Sequence, residues 1–155
     1  LMSKPYPYEE AFGIPMIIRW PGRIAAGRTD DLLLGTPDLM PTLLSLMGEK
    51  AHIPRQVQGM DYADILLGRT GVARPDSAFY LDSTDGGHRG IRPHRHTFAI
   101  GHGVNGEPRT RLYGHQADRY QLNNLASSSP KLAAEFSQAT QDWLDRIGDP
   151  WQAGG

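Results

Sequence analysis

The chain contains 155 residues with a mass of 17.1 kDa, which suits one modest domain or part of a larger protein. Its 16 basic and 17 acidic side chains leave a net charge of −1, so the charge balance gives no case for nucleic acid or an anionic membrane as a partner. The absence of cysteine excludes disulfides, thiolate metal sites and a cysteine nucleophile within this chain. We expect no membrane span within it, since its apolar runs are far shorter than about 20 residues. We expect no signal peptide within it either, since its first residues form neither a basic n-region nor an apolar h-region.

The 18 glycines and 12 prolines predict a turn-dense mixed fold. Two short strands are expected in the first part of the chain. Residues 15–20 form an apolar, β-branched run closed by Pro21 and Gly22, which is typical of a mostly buried strand. The apolar residues 32–34 predict a second short strand.

Two helices are predicted to follow these strands. Thr36 can cap the first helix with its hydroxyl, Pro37 suits the first helical position, and Gly48 can end the helix. Leucine and methionine side chains between them supply a broad apolar face. Residues 60–67 predict a second, shorter helix.

The pattern changes to strands in the second half of the chain. The candidates are residues 78–81, 90–100 and 109–113. Turns rich in glycine, aspartate or asparagine at residues 85–87 and 103–106 separate these strands. This spacing predicts an antiparallel sheet.

The chain closes with a predicted amphipathic helix. Ser129 can cap this helix, Pro130 takes its first position, and Gly148 stops it. Apolar side chains recur at spacings of three and four residues and therefore share one face. These side chains are Leu132, Phe136, Ala139, Trp143 and Ile147.

Three stretches carry a resemblance to a known family. Residues 4–22 begin Lys-Pro-Tyr-Pro-Tyr-Glu and run into Ile-Pro-Met-Ile-Ile-Arg-Trp-Pro-Gly. Residues 36–48 read Thr-Pro-Asp-Leu-Met-Pro-Thr-Leu-Leu, and residues 111–126 contain Leu-Tyr followed by Asp-Arg-Tyr-Gln-Leu-Asn-Asn-Leu-Ala. In this order, the stretches resemble the C-terminal part of sulfatases, the alkaline-phosphatase-like hydrolases of sulfate esters.

The resemblance implies an α/β (α+β) fold in two parts. Residues 1–68 would be the end of the large sulfatase α/β domain, with an edge of its sheet and a covering helix. Residues 69–77 would be a linker. Residues 78–155 would form a small antiparallel sheet packed by the last helix.

The resemblance also implies the activity of the parent protein, which is hydrolysis of sulfuric esters. In this family a formylglycine made from Cys or Ser in a Cys/Ser-x-Pro-x-Arg motif is the nucleophile, and Ca²⁺ is bound nearby. In this chain, the Ser-x-Pro at Ser128–Pro130 has Leu132 in place of that arginine. The formylglycine and the Ca²⁺ ligands would therefore come from the N-terminal part of the same polypeptide. The chain alone, equivalent to about the last third of a sulfatase, is expected to be inactive.

Lys4 matches the family lysine that contacts the sulfate group and the ester oxygen. A placed ammonium stabilises the negative charge that grows on the leaving oxygen. In the isolated chain we favour a solvated terminal lysine instead. Gly13 stands where the family usually has arginine, so the contact with substrate is open at that position. Glu9 and Glu10 form an adjacent acidic pair, which is more typical of a surface than of acid–base catalysis.

Residues 86–115 are rich in arginine and histidine. Arg89 and Arg92 are candidate substrate-binding residues, because the guanidinium fork matches sulfate oxygens. We favour the alternative that these charged side chains lie in solvent at the edge of the sheet, where they discourage pairing with another strand. His94 and His96 could share one face of a strand and chelate a metal, but nothing in the pattern specifies further ligands.

The expected partner is a sulfated small molecule or glycan of unknown class. Two other functions stay open. One is hydrolysis of a phosphate or phosphonate ester by the same superfamily architecture. The other is a non-catalytic module that binds polyanionic sugars through the surface of residues 86–115. The compartment is open, because a signal peptide would precede Leu1.

Overall fold

The structure of the chain divides into a helical unit and a sheet unit. The helical unit is Met16–Asp76, and the sheet unit combines Leu1–Pro15 with Ser77–Gly155. The structure is a computed structural model of the 155-residue chain. It describes residues 7–82, 87–102 and 107–151, apart from the side chains of Tyr80 and Asp82.

A four-stranded antiparallel sheet forms the centre of the sheet unit. Each strand pairs with the next one in the sequence, so the order is β1-β2-β3-β4. The antiparallel sheet predicted for the second half of the chain is thereby confirmed. The strands are β1 (Ser77–Asp82), β2 (His88–Pro93), β3 (His96–His102) and β4 (Pro108–Gly114).

The apolar core lies between one face of this sheet and helix α4 (Pro130–Ile147). Phe98 of β3 lies opposite both Ile91 and Leu112, its neighbours on either side. Because these positions face each other across the ladder, the three side chains share a face. Each is at most 1% exposed, and the Phe136 ring of α4 meets Phe98 edge-on with centroids 6.0 Å apart.

Helix α4 begins and ends where the sequence predicts. Ser129 is the N-cap residue, although its hydroxyl makes no cap hydrogen bond, and Pro130 is the first helical residue. Gly148 ends the helix in the left-handed conformation, with φ of 69°, which glycine adopts without steric cost. Trp143 stacks on Phe79 of β1 with ring centroids 5.4 Å apart. The helix is thus anchored on the edge strand as well as on the centre of the sheet.

Residues 90–100 form a hairpin, so the prediction of a single strand there is wrong. β2 ends at Pro93 and β3 begins at His96, which leaves His94 and Arg95 as a two-residue turn. Proline cannot donate a backbone hydrogen bond inside a sheet. Pro93 was therefore the signal in the sequence that the strand must end.

Helix α2 (Thr36–Leu46) is the first helix of the helical unit. Its N-cap is Gly35, so the prediction that Thr36 caps the helix is wrong by one residue. The Gly35 N–H donates to the Asp38 carboxylate at 2.7 Å, and this bond replaces the predicted hydroxyl cap. A 3₁₀ turn (Lys50–His52) and helix α3 (Ala63–Leu66) follow.

Side chains of α2 determine where α3 begins. The N–H of Met60 donates to Asp38 Oδ1 at 2.7 Å, and the N–H of Tyr62 donates to Thr42 Oγ1 at 3.0 Å. These bonds hold residues 60–62 against α2 in a non-helical conformation. The helix predicted over residues 60–67 is consequently shorter than the apolar pattern indicated.

Residues 15–20 and 32–34 do not form the predicted strands. No other segment among residues 7–82, 87–102 and 107–151 pairs with them, and a strand needs backbone partners to be stable. Ile17 is 95% exposed, which contradicts the expected burial within this chain. That these residues contribute an edge to a larger sheet stays a prediction.

Ion pairs hold the loop before residue 32. Arg28 donates to the Ile65 carbonyl at 2.8 Å and pairs with Asp30, which also pairs with Arg74. Hydrogen bonds from Arg74 and then Arg28 lower the pKa of Asp30 to about 2. This loop is therefore fastened by charge rather than by strand pairing.

The domain division that the resemblance implies for the whole protein, with a large domain ending at residue 68 and a linker at residues 69–77, stays a prediction. Within this chain, Leu1–Pro15 is grouped with Ser77–Gly155 in the sheet unit. The predicted turns at residues 85–87 and 103–106 lie largely outside the described residues. Across the described ranges, none of the helices is both long and apolar enough to cross a bilayer.

Replacing Phe98 by alanine is expected to lower the free energy of unfolding by about 3–5 kcal/mol, because the substitution leaves a cavity between the sheet and α4. Urea unfolding followed by tryptophan fluorescence measures the change. Leu122→Ala is the control, because Leu122 is 80% exposed and its loss should change stability by less than about 0.5 kcal/mol. Equal losses for the two variants would contradict this core.

Candidate functional site

The sheet face opposite α4 holds a carboxylate from the N-terminal segment. Helix α1 (Glu9–Phe12) is a single turn, and its Glu9 side chain reaches β2 and β3. Nε and Nη2 of Arg92 each lie 3.1 Å from a Glu9 oxygen, which is a bidentate pair. The Thr97 hydroxyl donates to Glu9 Oε1, also at 3.1 Å. The carboxylate therefore accepts three hydrogen bonds from two adjacent strands.

His115, just after β4, completes the surroundings of this carboxylate. Its Nε2 lies 2.8 Å from Thr97 Oγ1 and 3.6 Å from Glu9 Oε1, and its Nδ1 lies 3.4 Å from Arg92 Nη2. Assigning the proton to Nε2 satisfies these contacts, because Nε2 then donates to Thr97 and Nδ1 accepts from Arg92. The imidazole is thereby neutral and fixed in orientation.

Gln121 holds the backbone of the same glutamate. Its Oε1 accepts the N–H of Glu9 at 2.6 Å, a hydrogen bond between residues 112 positions apart. The Gln121 side chain is buried, and its backbone has φ of 54°, in the left-handed region that disfavours residues with a Cβ. We name Glu9, Arg92, Thr97, His115 and Gln121 the Glu9 clamp.

A pair of tyrosines extends the contact beside the Glu9 clamp. The rings of Tyr8 and Tyr113 lie 5.8 Å apart in a tilted arrangement. Burial, followed by the hydrogen bond with Tyr8, raises the pKa of Tyr113 to about 12. The Tyr113 phenol therefore stays protonated at neutral pH, and the two tyrosines act as a packing and hydrogen-bonding pair.

Burial and the charge of Arg92 set the ionisation states of Glu9 and His115 in the Glu9 clamp. Burial would raise the pKa of Glu9, but the hydrogen bonds and positive charge of Arg92 outweigh burial and lower it. Burial also lowers the pKa of His115, and the positive charge of Arg92 adds to this effect although Glu9 opposes it. At neutral pH, Glu9 is ionised and His115 is neutral.

This arrangement makes Glu9 a structural residue. A carboxylate that accepts three hydrogen bonds has little free basicity, so the Glu9 clamp is not placed to act as a general base. Glu10 is exposed, and the Glu9–Glu10 pair does not converge on one site. The Glu9 clamp instead fixes the segment that immediately follows Lys4–Tyr6 to the sheet.

The structure separates the two predicted substrate-binding arginines. Arg89 lies on the α4 side of β2, where its Nε donates to Asp149 at 2.8 Å and its guanidinium lies 5.4 Å from the Trp151 ring centroid. Arg92 lies on the opposite side and pairs with Glu9. A substrate anion would have to compete with a carboxylate at either position. Binding of substrate by these two residues stays a prediction.

The other predicted site residues do not assemble in the described part of the chain. Lys4 lies outside the described residues. His94 is in the β2–β3 turn and His96 begins β3, so the two are not successive positions on one strand face. Among the described residues, no group of three or more His, Asp or Glu side chains could hold a metal ion.

Sequence reasoning missed the role of the Glu9 clamp. The sequence showed Glu9 only as part of the first family-like stretch and of an acidic pair with Glu10, whereas the residues that hold it are 83 to 112 positions away. Local periodicity carries no information on such a contact. Nor does any residue pattern around Gln121 predict its left-handed backbone.

The sequence is similar to known proteins along most of its length. A family model described as "N-sulphoglucosamine sulphohydrolase, C-terminal" matches residues 1–144. The chain belongs to this sulfatase family. The sulfatase domain is 35% identical over 162 residues to the endo-4-O-sulfatase of Bacteroides thetaiotaomicron, and the match covers 94% of this chain and 32% of that protein.

Two further comparisons agree with this assignment. A structure solved in work on the metabolism of multiple glycosaminoglycans by Bacteroides thetaiotaomicron has a TM-score of 0.76 and 33% identity, over 86% of this chain and 31% of that one. An N-acetylglucosamine-6-O-sulfatase of the same organism is 29% identical over 131 residues, which cover 79% of this chain and 23% of that protein. The sulfatase domain spans about a third or less of the length of these relatives.

Glu9→Gln in the sulfatase domain is expected to lower the free energy of unfolding by roughly 1–3 kcal/mol at pH 7, because Arg92 loses its ionic partner. The folded-state pKa of Glu9 lies below its ordinary value of 4.5, so its stabilisation is present above that pH and is lost as the pH falls through the folded-state pKa. Urea unfolding at pH 7, 4.5 and 3 should show the wild type and the variant converging in acid.

The adjacent substitution Glu10→Gln is the matched control for Glu9→Gln, because Glu10 is exposed. It should change the free energy of unfolding by less than about 0.5 kcal/mol at pH 7. A Glu9→Gln difference that stays constant from pH 7 to pH 3 would rule out the ionised Glu9 as the source of stability.

The left-handed backbone of Gln121 can be tested by comparing two substitutions. Both Gln121→Ala and Gln121→Gly remove the acceptor for the Glu9 N–H, but glycine tolerates φ of 54°. The glycine variant should therefore be more stable than the alanine variant by about 1 kcal/mol in thermal unfolding. At Gln116, where φ is not positive, glycine should bring no advantage over alanine. The same order at both positions would argue against backbone strain at Gln121.

Proposed function

We propose that the protein carrying this domain hydrolyses sulfuric esters and that Lys4 contacts the sulfate group during the reaction. The observation that carries the proposal is the match of the sulfatase family model over residues 1–144, which includes the Lys4 stretch. The isolated chain is proposed to be inactive, because the nucleophile of the family is not among its residues.

The chemistry proposed for Lys4 is electrostatic. Cleavage of the S–O bond leaves negative charge on the ester oxygen, and a nearby ammonium stabilises this charge more in the transition state than in the ground state. Glu9 follows Lys4 by five positions, so the Cα atoms of the two are at most about 18 Å apart even in an extended chain. Anchoring of Glu9 therefore restricts where Lys4 can lie.

The residues of this chain do not fit the formylglycine or the Ca²⁺ that the resemblance implies for the whole protein. The chain has no cysteine, and its two Ser-x-Pro sequences, at residues 3–5 and 128–130, have Pro7 and Leu132 where a Ser-x-Pro-x-Arg motif requires arginine. The described residues offer no cluster of three metal ligands. We therefore assign neither group to this chain.

We propose a sulfated glycan as the substrate class. Two relatives are by name an endo-4-O-sulfatase and an N-acetylglucosamine-6-O-sulfatase, and another solved neighbour at 25% identity is described as a 2-O glycosaminoglycan sulfatase. These names differ in the position of the sulfate, so they support the class of substrate and leave the position open. Phosphate and phosphonate esters are the alternative substrates to be tested.

Lys4→Ala in the complete protein is expected to lower kcat for sulfate release by about 10²–10³-fold, the usual loss when one oxyanion-stabilising group is removed. Ion chromatography of sulfate released from an aryl sulfate and from a glycosaminoglycan oligosaccharide measures this loss. Lys131→Ala, an exposed change on α4, is the control. Unchanged turnover by Lys4→Ala, or faster cleavage of phosphate or phosphonate esters by the wild type, would overturn the proposal.

A further inference from the structure

A pocket of about 310 Å³ opens at the end of the β2–β3 hairpin. It is lined by His94 and Arg95 of the turn and by His115 and Gln116, which follow β4. Its size is near the lower end of the roughly 300–1,000 Å³ typical of small-molecule sites, which suits a single sugar residue. All four lining residues belong to the sheet unit.

Two side chains of this pocket have hydrogen-bonding capacity to spare. Arg95 and Gln116 are both exposed, and within the described ranges neither side chain has a hydrogen-bonding or ionic partner. In this respect Arg95 differs from Arg89 and Arg92, which are each paired with a carboxylate. A guanidinium offers up to five N–H donors in a planar fork, and an amide offers both a donor and an acceptor.

The framework of the pocket is fixed. The N–H of His115 donates to the Arg95 carbonyl at 3.0 Å, which ties the tip of the hairpin to the end of β4. The ring nitrogens of His115 are directed to Thr97 and Arg92, so the imidazole serves as a wall that the Glu9 clamp holds in place. A site that exists before its ligand arrives loses less conformational entropy on binding.

The electrostatic character of the pocket is positive. No acidic residue lines it, and the nearest carboxylate described above, that of Glu9, is already neutralised by Arg92. A cationic or strictly apolar ligand would gain nothing from Arg95. An anion with hydroxyl groups would engage both Arg95 and Gln116.

We propose that this pocket is a subsite for an anionic sugar residue of the substrate, with Arg95 binding its sulfate or carboxylate group and Gln116 binding a hydroxyl. The proposal rests on the proposed function for its substrate class. We assign Arg95 to an anionic group other than the sulfate that is cleaved, since we assign the cleaved sulfate to Lys4. Arg95 is then a determinant of affinity for glycans that carry a second anionic group.

The test is calorimetric titration of the complete protein with a sulfated glycosaminoglycan tetrasaccharide. Arg95→Gln should raise Kd about tenfold, consistent with the loss of a charge-assisted contact worth about 1.4 kcal/mol. Arg95→Lys keeps the positive charge but lacks the guanidinium fork, so its Kd should lie between those of the wild type and Arg95→Gln. Arg55→Gln removes another exposed arginine, outside the pocket, and should leave Kd within twofold of the wild type.

The chemically desulfated tetrasaccharide, which keeps its carboxylates, identifies the anion. Loss of the Arg95 effect with this probe assigns Arg95 to sulfate, and retention of the effect assigns it to carboxylate. Equal Kd values for wild type and Arg95→Gln with both probes would overturn the subsite. Gln116→Ala is the second variant. A Kd that neither substitution changes would also overturn the subsite, and this result would not depend on whether one of the two variants folds poorly.

Sulfate release followed in the same samples separates this proposal from the preceding one. Binding that depends on Arg95 in a protein that releases no sulfate would overturn the proposed hydrolysis and leave the subsite standing. Sulfate release combined with a Kd that does not depend on Arg95 would support the proposed hydrolysis and overturn the subsite.

Discussion

The bidentate pair between Glu9 and Arg92 is the interaction on which the organisation of the sheet unit depends. It joins a single helical turn near the start of the chain to a strand that begins almost 80 residues later. An isolated turn of four residues has no stability of its own, because helix nucleation is unfavourable. The turn exists because its carboxylate has fixed partners on the sheet and its first N–H has a fixed partner in Gln121, in the segment after β4.

The two faces of the sheet have different chemistry for this reason. The face that packs against α4 is covered by apolar side chains around Phe98. Burial of these side chains stabilises the fold, but the hydrophobic effect has no preferred direction. The opposite face uses hydrogen bonds and charge, which have defined geometry, to hold one particular segment in one particular place. The Glu9 clamp lies on this second face, and the pocket lined by Arg95 and Gln116 lies beside the clamp.

The sequence predicted those parts of the fold that depend on local pattern. Helix α4 was predictable because Leu132, Phe136 and Trp143 repeat at helical spacing between a proline start and a glycine stop. The strands at residues 15–20 and 32–34 were predicted wrongly, because an apolar run does not reveal whether a pairing partner exists. The resemblance to sulfatases was correct, whereas the position of Lys4 and the substrate contacts of Arg89 and Arg92 stay predictions.

The candidate site was less predictable than the fold for a physical reason. Hydrogen bonds between Glu9, Thr97 and Gln121 depend on tertiary folding that brings distant backbone together, and no local residue preference reports it. Arg95 could not be distinguished from its arginine neighbours by sequence, since all of them carry the same charge. Only the folded structure shows that Arg89 and Arg92 are already paired with carboxylates.

The discontinuity of the sheet unit has a consequence for biosynthesis. Glu9 leaves the ribosome 112 residues before Gln121, so the acceptor for its backbone N–H is missing until Gln121 has been made. At about 5–20 residues per second, this delay is on the order of ten seconds. During that interval the N-terminal segment lacks its native partner while the helical unit emerges. Docking of α1 is therefore a late event, and a nascent chain that stalls before Gln121 cannot complete the sheet unit.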